Sequence, residues 1–352
     1  MIRRALGVGA LALLVMASAA VAAAPAGPRL ALIKLSPKPP GLQLLTVGPK
    51  GGRAQRLAGG GRRARPIPEF FSPVSWSPDG EKVAFSGILG FRDGDDHEPI
   101  RRIFLVHADG SGLRAIPRTN GATGPVFSPD GRTIAFTRRI ERETPTKIGG
   151  KLRRRGFNGS SVWTVDFVSG AQRQLTPWRE GLEYVASSFS PDGSTLLAEY
   201  DDDMFIDEPQ PVALKLDGSG SKVLFDDGSS PVYSPDGSKI AMVRRIEDYS
   251  DEGHEDLDLF VGHADGTGLR RITRTPGRSE LYPTWDPSGE RLAYVRFSAA
   301  ATEAAAFGLG DALMQVNADG TCQSKIVSSR RMALYAPAWQ PGPGREAGRI
   351  EC

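Results

Sequence analysis

The amino-acid sequence predicts an all-β chain, a six-bladed β-propeller of four-stranded antiparallel blades. An aromatic residue stands two positions ahead of a proline six times, at Trp76/Pro78, Phe127/Pro129, Phe189/Pro191, Tyr233/Pro235, Trp285/Pro287 and Trp339/Pro341. Successive prolines lie 51, 62, 44, 52 and 54 residues apart, the length of one supersecondary unit, as in propeller blades or solenoid turns. Asp-Gly turns recur between short β-prone runs, and helical periodicity is nowhere sustained beyond a weak trace over 299–307.

The first blade, near 72–117, reads as strands at 72–77, 82–86, 103–107 and 113–117, joined by the turns Pro78-Asp79-Gly80 and Ala108-Asp109-Gly110. Asp-Gly between two β-prone runs signals a hairpin because glycine supplies the positive φ of a tight connection. The order returns near 124–176, 183–225, 230–273 and 281–327, with second strands at 134–136, 196–200, 240–243 and 292–295 and third strands at 161–167, 212–216, 257–261 and 313–316.

The sixth blade is split. Only its first strand lies near the end of the chain, at 335–341, whereas Arg29-Leu30-Ala31-Leu32 resembles Arg291-Leu292-Ala293-Tyr294 of the fifth blade. Residues 28–58 together with 335–341 therefore complete a composite blade. Joining the two chain ends in one sheet removes the bare apolar faces and free edges that an open fan would leave. Because an aromatic recurs at the first strand of every blade, these six side chains are read as core between blades rather than as a ligand cage.

Ahead of the blades, residues 1–22 have the pattern of an export signal: Arg3 and Arg4, an apolar run over 6–17, and Ala20-Val21-Ala22. The mature chain is expected to be one propeller domain over 23–352, secreted or periplasmic, with no stable membrane span once the signal is removed. Loss of the two arginines takes the formal charge from +3 to +1, so a nucleic-acid footprint is not expected. Cys322 and Cys352 are the only two cysteines; an even count in an exported chain favours a disulfide pinning the tail to the fifth blade, two free thiols being the other reading.

The Ser-Pro-Asp-Gly turn of four blades, its variant at Asp286-Pro287-Ser288-Gly289, the short apolar second strand with a central alanine, and the outer Ala-Asp-Gly turn resemble the WD-like propeller repeats of the TolB family. Such repeats also occur in the propeller domains of prolyl-oligopeptidase-type peptidases. The resemblance implies an exported propeller that binds a protein or peptide on one face or in its channel. TolB proteins carry a separate α/β domain before the propeller, whereas only a few residues here separate the signal from the first strand, so that domain is expected to be missing. The G-x-S-x-G nucleophile elbow of the peptidases does not occur.

Up-and-down connectivity puts the short Asp-Gly hairpins on one face and the long second-to-third-strand loops on the other, where binding residues tend to sit. Those loops are charged. Asp95, Asp96 and His97 belong to the first blade, Asp202 and Asp203 to the third, and Asp251, His254 and Glu255 to the fourth, while the second blade is basic, with Arg153 and Arg154. They are the candidate contact residues of a monomeric, non-catalytic module for a protein or peptide of the cell envelope. The alternative is a metal-assisted carbohydrate-active lyase or hydrolase in the channel mouth, drawing on His97, His254 and nearby carboxylates. No catalytic residue, metal ligand set or cofactor is assigned. Clustered carboxylates supply the hard oxygen ligands a divalent cation such as calcium takes, but none of the runs has EF-hand spacing.

Overall fold

The structure, a computed structural model of the 352-residue chain, describes residues 28–35, 42–59, 67–68, 72–91, 99–148, 151–202, 208–246, 256–298, 312–328, 333–342 and 349–352. The expected export signal lies outside them. Among the described residues every regular element is a strand, and the strands form six antiparallel sheets arranged as a six-bladed propeller.

From the axis outward, the second blade is Ala122–Phe127, Thr133–Ile148, Lys151–Asp166 and Gln172–Gln174, and the third is Leu182–Phe189, Thr195–Asp202, Gln210–Lys215 and Ser221–Val223. The fourth is Ser229–Tyr233, Lys239–Ile246, Asp256–His263 and Arg270–Arg271; the fifth is Arg278–Trp285, Arg291–Ser298, Ala312–Asn317 and Ser324–Ser328. In the first blade the inner strand is broken, with Ile67–Pro68 and Ser75–Trp76 both pairing to Lys82–Phe91, followed by Pro99–His107 and Arg114–Ala115.

The composite blade forms as the sequence predicts. Ala333–Trp339 pairs with Leu30–Leu35, with Leu30 opposite Trp339 and Ala31 opposite Ala338, and Leu42–Gly48 and Gly51–Gly59 complete the sheet. Two bonds tie this blade to the first: Trp76 Nε1 donates to Ala338 O (3.0 Å) and Gln340 Nε2 donates to Gly80 O (2.6 Å).

The buried apolar residues divide into six clusters, one at each junction between neighbouring blades. One cluster, for instance, joins Ile33, Leu44 and Leu57 of the composite blade to Trp76, Val83 and Phe85 of the first. Of the six repeating aromatics, Trp76, Phe127, Phe189, Trp285 and Trp339 are buried and Tyr233 is half-buried.

The turn motif is explained by its hydrogen bonds. Ser77, Ser128, Ser190 and Ser234 each donate Oγ–H to the aspartate two residues on (2.5–2.6 Å) and each accept the amide of the residue five on (2.9–3.0 Å). The proline packs across the junction: a Cβ placed on Gly237 would lie 3.1 Å from Pro191 Cδ of the preceding blade. In the fifth blade Asp286 replaces the serine and accepts the amides of Glu290 and Arg291 itself (both 3.1 Å).

One expectation is corrected. The basic segment of the second blade is not a loop but the continuation of two strands, paired from Thr133 opposite Asp166 to Ile148 opposite Lys151. The inner strand stops at Ala122 opposite Arg138, so the ten pairs beyond it make a two-stranded ribbon of about 30 Å at the usual rise of ~3.3 Å per residue, its base held to the third blade by the Ser160 hydroxyl, which bonds the Tyr184 backbone.

Candidate functional site in the axial channel

The six inner strands surround a channel of about 790 Å³. Its wall is built by a second repeat. Pro125, Pro283 and Pro337 line the channel two residues before their blades' aromatics and Ser187 holds that place in the third blade, while Pro231 has it in the fourth blade but is buried behind the wall. Around this position the pairing slips, with register shifts in the inner strands of the second to fifth blades and of the composite blade. The residues there include Ser230, Tyr282 and Ala336, with φ of 53°, 58° and 45°. Non-glycine residues are rarely held in the left-handed region, and they concentrate where the surrounding structure serves a function.

The charged group in this wall is Glu199, on the second strand of the third blade. Its position, six residues past the turn glycine, is Ser86, Thr137, Val243 and Val295 in the other four whole blades. In the first three blades this side chain deals with the slipped amide of the next blade. Thr137 Oγ1 accepts Ala186 N–H (2.9 Å), Ser86 Oγ accepts from Ser72 Oγ (2.7 Å), which accepts Gly124 N–H (2.8 Å), and Glu199 Oε1 accepts Ser230 N–H (2.7 Å). A hydroxyl suffices for the first two junctions. At the third, the carboxylate brings a charge and a second oxygen that the junction does not require.

Burial pushes the Glu199 carboxyl up to about 7; the Ser230 amide opposes this, while the negative charges of Asp201 and Glu183 add to it. Tyr282 and Tyr335 line the same channel with ring centroids 4.5 Å apart. Burial pushes Tyr282 up to about 12, with a hydrogen bond from Tyr335 opposing.

A second carboxyl pair is buried between the fourth and fifth blades. Thr273 Oγ1 lies 3.0 Å from Asp258 Oδ1 and 2.9 Å from Glu280 Oε2, while accepting the Leu259 amide at 2.9 Å. One hydroxyl proton cannot serve both carboxyls. Arg271 pairs with Asp258, and Glu280, hydrogen-bonded to Asp258, is pushed up to about 8, first by burial and then by that bond and charge. Glu280 is thus the protonated partner at neutral pH.

Of the residues singled out from the sequence, Asp95, Asp96, His97, Asp203, Asp251, His254 and Glu255 lie outside the described residues. Arg153 and Arg154 sit in the ribbon, opposite Thr146 and Pro145. Asp202 is buried and pairs with Arg179, with the Tyr200 hydroxyl donating at 3.3 Å. Cys322 and Cys352 are joined by a disulfide with Cα atoms 5.1 Å apart. Beside it, the backbone of Ile350 makes two hydrogen bonds to the Asn317 side chain (2.8 and 3.0 Å). Among the described residues no three His, Cys, Asp or Glu side chains gather as metal ligands, and no helix is long and apolar enough to cross a membrane.

No protein-family model matches the chain. An uncharacterized protein of Agrobacterium fabrum is 25% identical over 190 residues, 51% of this chain and 55% of that protein, so the match spans little more than half of the relative. TolB from Acinetobacter baumannii is structurally similar with a TM-score of 0.64 at 19% identity, over 89% of this chain and 67% of that one. A structure described as TolB from Agrobacterium tumefaciens gives 0.55 at 17% identity, over 89% and 99%. The fold is that of a TolB-like six-bladed β-propeller.

Proposed function

We propose that this chain is an exported, non-catalytic binding module that takes an extended segment of a cell-envelope protein into its axial channel. The channel itself carries the reading: about 790 Å³ walled by prolines and aromatics, interspersed with serines and the carboxyl of Glu199, has the make-up of a recognition site. The second and third strands of every blade turn at one end of the propeller, and the charged segments of the sequence between them are the expected contacts for the remainder of the partner. The likeness to TolB structures supports the propeller as a binding frame, although one fold hosts many functions.

The test is capture of envelope proteins by the native chain and by Ser187→Trp, which fills the channel from the wall of the third blade. A partner retained by the native chain and lost by the variant supports channel binding. Equal capture by both places the contact elsewhere.

A further inference from the structure

We propose that Glu199 selects what enters the channel by pairing with a cationic group, a lysine or arginine side chain, of the inserted segment. This rests on the channel reading above and adds to it a ligand chemistry. The sister blades provide the internal comparison. Thr137 performs the junction's structural task, receiving the next blade's slipped amide, with a neutral hydroxyl; Glu199 performs it with one oxygen and leaves a negative charge at the channel wall.

The surroundings do not neutralise that charge. The groups acting on it are the carboxylates of Asp201 and Glu183, and Arg139, 3.5 Å from Glu183, is committed there. On the adjoining edge of the fourth blade Arg244 is held by Asp227. Tyr282, on the inner strand of the fifth blade, lines the same channel and is kept neutral by burial. A neutral segment would cover the carboxylate without pairing it, at a desolvation cost, whereas a cation in the same place removes that cost and gains from the low local dielectric. Burial holds Glu199 near half-ionised at neutral pH, so a bound cation expels its proton and binding tightens as pH rises through 7. With the competent ionised fraction near one at pH 8 and about one tenth at pH 6, the affinity falls about tenfold between them.

The probes are the blocked peptide acetyl-Ala-Pro-Lys-Pro-Ala-amide and its norleucine counterpart, titrated against the native chain, Glu199→Gln and Glu199→Thr by calorimetry and by fluorescence of the channel tryptophans. The threonine variant copies Thr137 and keeps the amide acceptor; near-ultraviolet circular dichroism checks its fold. The expected result is that the lysine peptide binds the native chain about tenfold tighter at pH 8 than at pH 6 and at least tenfold tighter than the norleucine peptide at pH 8. Both differences should vanish in the two variants while norleucine binding stays. Equal binding of the two peptides by the native chain overturns the selection by Glu199 and leaves the channel reading intact. A preference that survives in Glu199→Thr also overturns it, and binding of neither peptide overturns both.

Discussion

Replacing Glu280 by glutamine should change the pH dependence of stability rather than only its size. In the folded chain Glu280 is fully buried and its carboxyl is raised from 4.5 to about 8, so the folded state holds a proton that the unfolded chain releases above about 4.5. A raised carboxyl contributes its stabilisation in full below the unfolded value and loses it as pH climbs to the folded one. Each pH unit inside that window removes about 1.4 kcal/mol, which makes the loss from pH 5 to pH 7 on the order of 3 kcal/mol. Glutamine keeps a donor toward Asp258 and cannot ionise. Urea titrations of the native chain and Glu280→Gln at pH 5, 6, 7 and 8, followed by tryptophan fluorescence, read the difference directly. The raised carboxyl of Glu199 is present in both proteins and cancels, and Asp236 and Asp319, held at about 2 by hydrogen bonds, act only in stronger acid. The variant should gain on the native chain steadily with pH. A difference that stays constant across the four pH values would refute the shared proton.

Gly266→Ala should destabilise by about 2 kcal/mol or more, because φ there is +95° and the added Cβ would lie 2.5 Å from the Leu224 carbonyl of the preceding blade; a midpoint in urea matching the native one would contradict this packing. Cys352→Ser opens a cross-link spanning a sequence separation of 30, and loop-closure entropy sets the loss at up to about 3.6 kcal/mol. Thermal unfolding with and without reductant checks it: reductant should lower the native midpoint and leave that of the variant unmoved.

The architecture was readable because the same local chemistry repeats. A serine that must hold an aspartate and receive an amide five residues on, beside a proline that packs on the next blade's glycine, leaves a fixed sequence trace, and Arg29 to Leu32 match Arg291 to Tyr294 of the fifth blade closely enough to be placed beside Trp339. The channel site left a fainter one. Glu199 sits in Leu-Leu-Ala-Glu-Tyr, an ordinary strand, and becomes conspicuous only when the blades are aligned on their turn glycines, where it replaces Ser86, Thr137, Val243 and Val295. Its partner at Ser230 is set by a backbone slip that no side-chain pattern announces. Nothing in the sequence marks Asp258, because charge alone does not tell a solvated carboxylate from one held by Arg271 and Thr273. The arginines of the second blade's ribbon carry the composition of a solvated loop, and that charge masks the pairing of Thr133–Ile148 with Lys151–Asp166.

The channel exists only if the two ends of the chain close the ring, and a cross-link tests this most directly. Ala31 and Ala338 face each other in the composite blade, where opposed Cβ atoms lie about 5 Å apart. In a chain carrying Ala31→Cys and Ala338→Cys, mild oxidation followed by peptide mapping should find an intramolecular 31–338 bond beside the native Cys322–Cys352 bond, with the near-ultraviolet spectrum unchanged. Free thiols at both positions, or bonds formed only between molecules, would contradict closure of the propeller by its own ends.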